Sequence, residues 1–128
     1  MLEKDRTTQF IKWVKLKLNQ TCAIECKLTK SESIAFNTLQ PHQESSLWQA
    51  NHGLMAHKIS DSGLGIKPFD LFVLARVPAY VVVFWYTKPG DKRFAMIPIE
   101  AWCQEREQSA RKSLLYSRAC AIGRCETL

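Results

Sequence analysis

The chain has 128 residues, 46% hydrophobic and 23% charged, with 18 Lys and Arg against 12 Asp and Glu for a net charge of +6. That length supports one domain, residues 1–128, around a single core, and the composition excludes a disordered chain. The basic excess suits a polyanionic partner without requiring one.

Residues 7–18 place Phe10, Trp13, Val14 and Leu18 at helical spacing, with Lys12 and Lys15 turned away. This predicts an amphipathic first helix with Thr7 or Thr8 near its N-cap. Asn19-Gln20 breaks the pattern and leads to a strand over 22–28. Alternation along it puts Cys22, Ile24, Cys26 and Leu28 on one side and Ala23, Glu25 and Lys27 on the other. A Glu and a Lys thus share one strand face, about 7 Å apart at their points of attachment. Such a pair is more often the solvated side of a sheet than a site, so the tripeptide alone decides nothing.

Residues 29–33 read as a polar loop, and a second helix is expected over 41–52, with Pro41 in its first turn and Gly53 closing it. Residues 54–60 read as a strand, and Asp61-Ser62-Gly63-Leu64-Gly65 as a loop. Two runs, 69–75 and 79–87, are rich in Val, Phe and Tyr and predict a hairpin. Residues 80–86 are apolar on both faces, as in a central strand covered from both sides. A turn over 87–91 and a strand over 93–97 follow. Pro98 opens a helix running to about residue 112, and Ser113 caps a last helical piece over 114–122, ended by Gly123. The expected fold is α/β, a single mixed β-sheet flanked by helices.

The five cysteines, Cys22, Cys26, Cys103, Cys120 and Cys125, have neither the even count nor the close pairing of a secreted disulfide framework. They point to a reducing, cytoplasmic setting. No C-x-x-C or H-E-x-x-H zinc pattern occurs. The N-terminal residues are charged and polar, unlike a signal peptide, and the longest apolar run is too short to span a bilayer, so no membrane partner is expected.

Four features stand in line: Glu25-x-Lys27, His42-Gln43, His57-Lys58-Ile59-Ser60-Asp61, and Lys67-Pro68-Phe69-Asp70. Together they resemble the restriction-endonuclease-like superfamily, known by its PD-(D/E)XK motif, and within it the Holliday junction resolvases. The resemblance runs from the first helix to the strand over 80–86. It implies a restriction-endonuclease-like core in which Glu25 and Lys27 match the (D/E)XK element and Gln43 matches a helix Gln. It further implies DNA as substrate, possibly branched, cut with Mg²⁺ or Mn²⁺, and a homodimer to deliver two symmetric nicks.

The acid that normally precedes the Glu-x-Lys on a neighbouring strand is missing from its usual place. Asp70 is the first candidate to replace it, Asp61 the second and Glu3 the third. On this reading Glu25, Asp70 and the backbone carbonyl of Cys26 supply oxygen ligands to the metal. Lys27 acts as a point charge beside the phosphate, and Gln43 fixes water or phosphate by hydrogen bonds. Lys12, Lys15, Lys30, Lys58 and Lys67, with Arg111 and Lys112, are candidates for phosphate contacts. The alternative is a non-catalytic nucleic-acid-binding module on the same fold. The three histidines read as surface or helix-end residues, and Trp48 as a side chain that could touch DNA.

Overall fold

A computed structural model describes residues 3–60 and 65–128. In chain order it runs α1 Glu3–Lys17, β1 Ala23–Thr29, β2 Ser33–Ala35, a 3₁₀ turn Phe36–Thr38, α2 Pro41–His52, β3 Leu54–Lys58 and β4 Leu71–Ala75. There follow β5 Ala79–Trp85, β6 Arg93–Pro98, α3 Ile99–Gln108, β7 Ser113–Leu115, α4 Tyr116–Ile122 and β8 Arg124–Thr127. The class is mixed α/β. The main sheet has the order β1-β5-β6-β8, with β1 parallel to β5 and the other pairs antiparallel.

The expected central strand is β5, in which Val81 through Trp85 have no exposed surface. Its alternate residues serve two cores. Val82 and Phe84 join Phe10 and Trp13 of α1, with Ile24, Cys26 and Leu28 packed against them. Val81, Val83 and Trp85 join Leu47 of α2, Ile99 and Trp102 of α3, and Ala119 of α4. The sheet is therefore covered by α1 on one face and by α2, α3 and α4 on the other.

Several expectations fail for local reasons. α1 begins a turn early, so Thr7 and Thr8 do not cap it; their hydroxyls donate to the carbonyls of Glu3 and Lys4, each at 3.0 Å. The two strands β4 and β5 form no hairpin. Arg76 takes a left-handed φ of 50°, and the amides of Arg76 and Val77 donate to Gly53 and Ala50 at the end of α2. The chain is thereby turned away before Pro78, β4 pairs with β3 instead, and β5 pairs with β1 and β6.

The helix from Pro98 stops at Gln108, because Ser109 is extended. Residues 113–115, expected as a helix cap at Ser113 and the start of a helix at 114, form β7 against β2, a ladder flanked by bonds from Phe36 N–H to the Lys112 carbonyl and from Tyr116 N–H to the Glu32 carbonyl. The single sheet of the sequence reading is thus one mixed sheet with two separate two-stranded ones among the described residues.

Gly123 lets the chain reverse from α4 into β8 hard against β6. A Cβ there would stand 2.5 Å from the Met96 carbonyl oxygen. The reversal brings Cys120 and Cys125 together as a disulfide, a pairing their spacing gave no reason to expect. At the other end of the sheet, Asp91 is buried. Its carboxylate accepts from the Thr87 amide and hydroxyl and from the Arg93 guanidinium at 2.9 Å, while its carbonyl accepts from buried Arg6 at 2.7 Å.

Candidate functional site

Glu25 and Lys27 lie on the face of β1 that looks toward α2, as their register partners Val81 and Val83 do. The Lys27 side chain is only 11% exposed and that of Glu25 32%, with 3.6 Å between the ammonium and Oε1. A solvated sheet face would leave both in water. Here β1 is the edge of the main sheet, but α2 roofs the pair.

Gln43 completes the group. Its Nε2 donates to Glu25 Oε1 at 3.0 Å, and its Oε1 accepts the Gln40 backbone N–H at 3.0 Å. The second bond is half of a capping box at the start of α2, in which the Gln40 side chain accepts the Gln43 backbone N–H, with Pro41 in the first turn. Since the amide oxygen is committed to Gln40, the amide nitrogen must face Glu25. Helix capping therefore aims the side chain that holds the carboxylate.

Glu25 opens into a cleft of about 580 Å³ between β1, α2 and the β3–β4 hairpin, and Lys27, beside it on β1, is not among the residues lining that cleft. Glu25, Gln43, His42 and His57 line it beside apolar Leu47, Met55, Phe72 and Leu74. Both histidines are exposed, as expected from the sequence, and stand at the open rim of this cleft. The signal for His57 was its parity with Met55, and for His42 its place beside Gln43 in the first turn of α2.

Other candidates lie elsewhere. Asp70 precedes β4, its side chain is 85% exposed, and it pairs with Lys67 at 3.2 Å. It is not among the residues lining the cleft, although Phe72 and Leu74 farther along β4 are. Asp61 lies outside the described residues. Glu3 belongs to α1, across the sheet from Glu25, where its charge acts on Cys26. Among the described residues no group of three or more His, Cys, Asp and Glu side chains is placed to hold a metal ion.

Cys26 faces α1, and burial above all pushes its thiol up to about 11, so only its backbone carbonyl remains as a candidate ligand. Mg²⁺ uses one or two carboxylates and takes its remaining ligands from water and substrate phosphate. Glu25 in the cleft meets the lower end of that requirement.

The basic candidates do not share one surface. Lys12 and Lys15 stand on the exposed side of α1, on the far face of the sheet from the cleft. Lys30 follows β1, and Lys58 and Lys67 belong to the hairpin and the segment before β4. Arg111 and Lys112 border a separate cleft of about 500 Å³, where Arg106 is already paired with Glu44. Trp48 stacks on His52 with ring centroids 3.9 Å apart, on the side of α2 toward Glu100 and Arg106 and not toward Glu25.

The class that the fold defines is a mixed α/β domain with helices on both faces of a mixed sheet. Compared with protein-family models, curated proteins and solved structures, the chain matches none. Among the described residues no helix is long and apolar enough to cross a membrane.

Proposed function

We propose that the protein is a metal-dependent endodeoxyribonuclease of restriction-endonuclease-like type, acting on DNA, with branched DNA as the favoured substrate. The observation that carries this reading is an ammonium, Lys27, held at 11% exposure and 3.6 Å from a carboxylate that Gln43 fixes in a cleft. A nearly buried Lys is costly to keep, and an apolar residue of similar shape would serve the fold as well. The pair is better explained by what enters the cleft.

Glu25, with the Cys26 carbonyl, would hold Mg²⁺ or Mn²⁺, which supplies a water of lowered pKa and offsets charge on the phosphate. Lys27 places a fixed positive charge against the phosphate oxygens, where low solvent access makes it worth more than in water. Gln43 keeps the Glu25 carboxylate pointed into the cleft, so no reorganisation is needed when DNA binds. The β3–β4 wall, with His57, limits water and bounds the strand that enters.

A second reading, a nucleic-acid-binding module without cleavage, draws support from Asp70 standing outside the cleft, which leaves Glu25 without a neighbouring acid there among the described residues. One experiment separates the two. Labelled four-way junctions, flaps and linear duplexes are incubated with and without Mg²⁺ or Mn²⁺, using wild type, Glu25→Ala and Lys27→Met. The nuclease reading expects metal-dependent cutting that both variants lose while DNA binding persists. Salt-sensitive binding with no cutting by the wild type supports the second reading, and no DNA binding rejects both.

A further inference from the structure

We propose that the cleft beside Glu25 takes one unpaired nucleotide, with its base laid against the rings of His57 and Phe72. These two residues are direct cross-strand partners on β3 and β4, so both project from the same face of the hairpin. Their ring centroids are 5.5 Å apart with planes inclined by 35°, which makes them neighbours on one wall of the cleft. Met55 and Leu74, the next pair on that face, extend the wall. Ser46 and Leu47 of α2 line the cleft with them.

A hairpin that only covered the helix and sheet beneath it would close on them and leave no room. Here Met55, Phe72 and Leu74 are half-buried, and a space of about 580 Å³ remains between the hairpin, α2 and β1. Sites that take one small molecule run to roughly 300–1,000 Å³, and a stretch of duplex does not fit such a volume. DNA enters it only as a nucleotide drawn out of the stack.

The chemistry of the walls suits a base of any identity. Adjacent rings on a sheet face are a platform on which unstacked bases lie, and every base has a π-face to offer. Gln43 commits both ends of its amide, to Gln40 and to Glu25. The polar groups left for the base edge and the sugar are His42 at the rim and the Ser46 hydroxyl, which both donates and accepts. Among the described residues Glu25 is the only acid lining the cleft, and the Lys27 ammonium stands 3.6 Å from it, so little negative charge opposes a phosphate there. The proposal rests on the nuclease reading for the direction of that phosphate, toward Glu25, and narrows the substrate to DNA with an unpaired nucleotide at the branch. Base binding itself needs no metal.

Fluorescence anisotropy of the whole chain in EDTA tests it without cutting. Three DNAs are compared, a duplex with a single-base bulge, the same duplex fully paired, and one whose bulge is abasic, since phosphate contacts are common to all. The wild type is expected to bind the base-bearing bulge about tenfold more tightly than either of the others. Phe72→Leu, which keeps an apolar side chain on the hairpin, and His57→Ala, on the exposed rim, should each cut that preference to about threefold or less, while His57→Phe keeps it. A 5-iodouracil at the bulge should photocrosslink to His57 or Phe72. Equal binding of the three DNAs, a preference that Phe72→Leu and His57→Ala both leave intact, or crosslinking only to other residues overturns the proposal. Mg²⁺-dependent cutting without the preference also overturns it and leaves the nuclease reading standing. The preference without cutting supports the nucleotide pocket and rejects the nuclease reading, and no DNA binding rejects both.

Discussion

Gln43 holds Glu25 through one end of its amide and the first turn of α2 through the other, at 3.0 Å in each case. The carboxylate and the helix start are thus one mechanical unit. Gln43→Ala is expected to cost about 1 kcal/mol through the lost cap. On the proposed nuclease reading, cleavage should fall further than stability, by about 10² or more, since Glu25 is then free to turn. A double-mutant cycle of Gln43→Ala with Glu25→Ala, followed by urea unfolding, should return a coupling of about 0.5–3 kcal/mol. A coupling near zero would mean that the hydrogen bond contributes nothing.

Lys27 and Glu25 should respond unequally to removal. Lys27→Met keeps the apolar stem and deletes a charge that is almost out of water, while Glu25, one-third exposed, keeps its Gln43 hydrogen bond and reaches solvent, so stability is expected to change by less than about 1 kcal/mol. Glu25→Ala leaves that charge without its partner and should destabilise by about 2 kcal/mol or more. Chemical denaturation at neutral pH reads both. If Lys27→Met is strongly destabilising, the pair is structural and the case for a functional lysine weakens.

Asp91 ties the acid stability of the fold to one buried carboxylate. The Arg93 guanidinium first, and the Thr87 and Arg93 backbone amides and Thr87 hydroxyl with it, hold its carboxyl well below the usual carboxylate range, although burial acts the other way. A carboxyl whose folded pKa lies below its unfolded one stabilises fully above about pH 4, and that contribution fades as pH falls toward the depressed folded value. Asp91→Asn should cost about 3 kcal/mol at neutral pH. The gap between variant and wild type should close below about pH 4. Urea midpoints across that range supply the comparison.

Gly123 has a φ of −137°, which any residue can adopt, so its requirement is one of space alone. A Cβ would meet the Met96 carbonyl at 2.5 Å, the Ala119 carbonyl at 3.2 Å and Ile97 Cα at 3.2 Å, all backbone atoms that cannot swing aside. Gly123→Ala should therefore destabilise by about 1–3 kcal/mol. A thermal melt of Gly123→Ala matching the wild type would show that α4 and β8 can move apart at no cost.

By itself the sequence determined the elements whose cause is local. Pro41 and Gly53 bound α2 as periodicity and capping require, the two-sided apolar run became β5, and the parity of β1 put Glu25 and Lys27 on the face opposite Cys26 and α1. The nearness of Gln43 to Glu25 was legible only as a pairing of residue types, since nothing local spans their separation of 18 positions. Tertiary structure decided which strands pair. Three-residue strands such as β2 and β7 carry too little pattern to declare themselves and exist because each meets the other. The left-handed turn at Arg76 sent β4 to β3 and not to β5. Backbone pairing is satisfied between distant segments and alternation along one segment is not, so the facing of each side chain could be read from the chain while its neighbours could not.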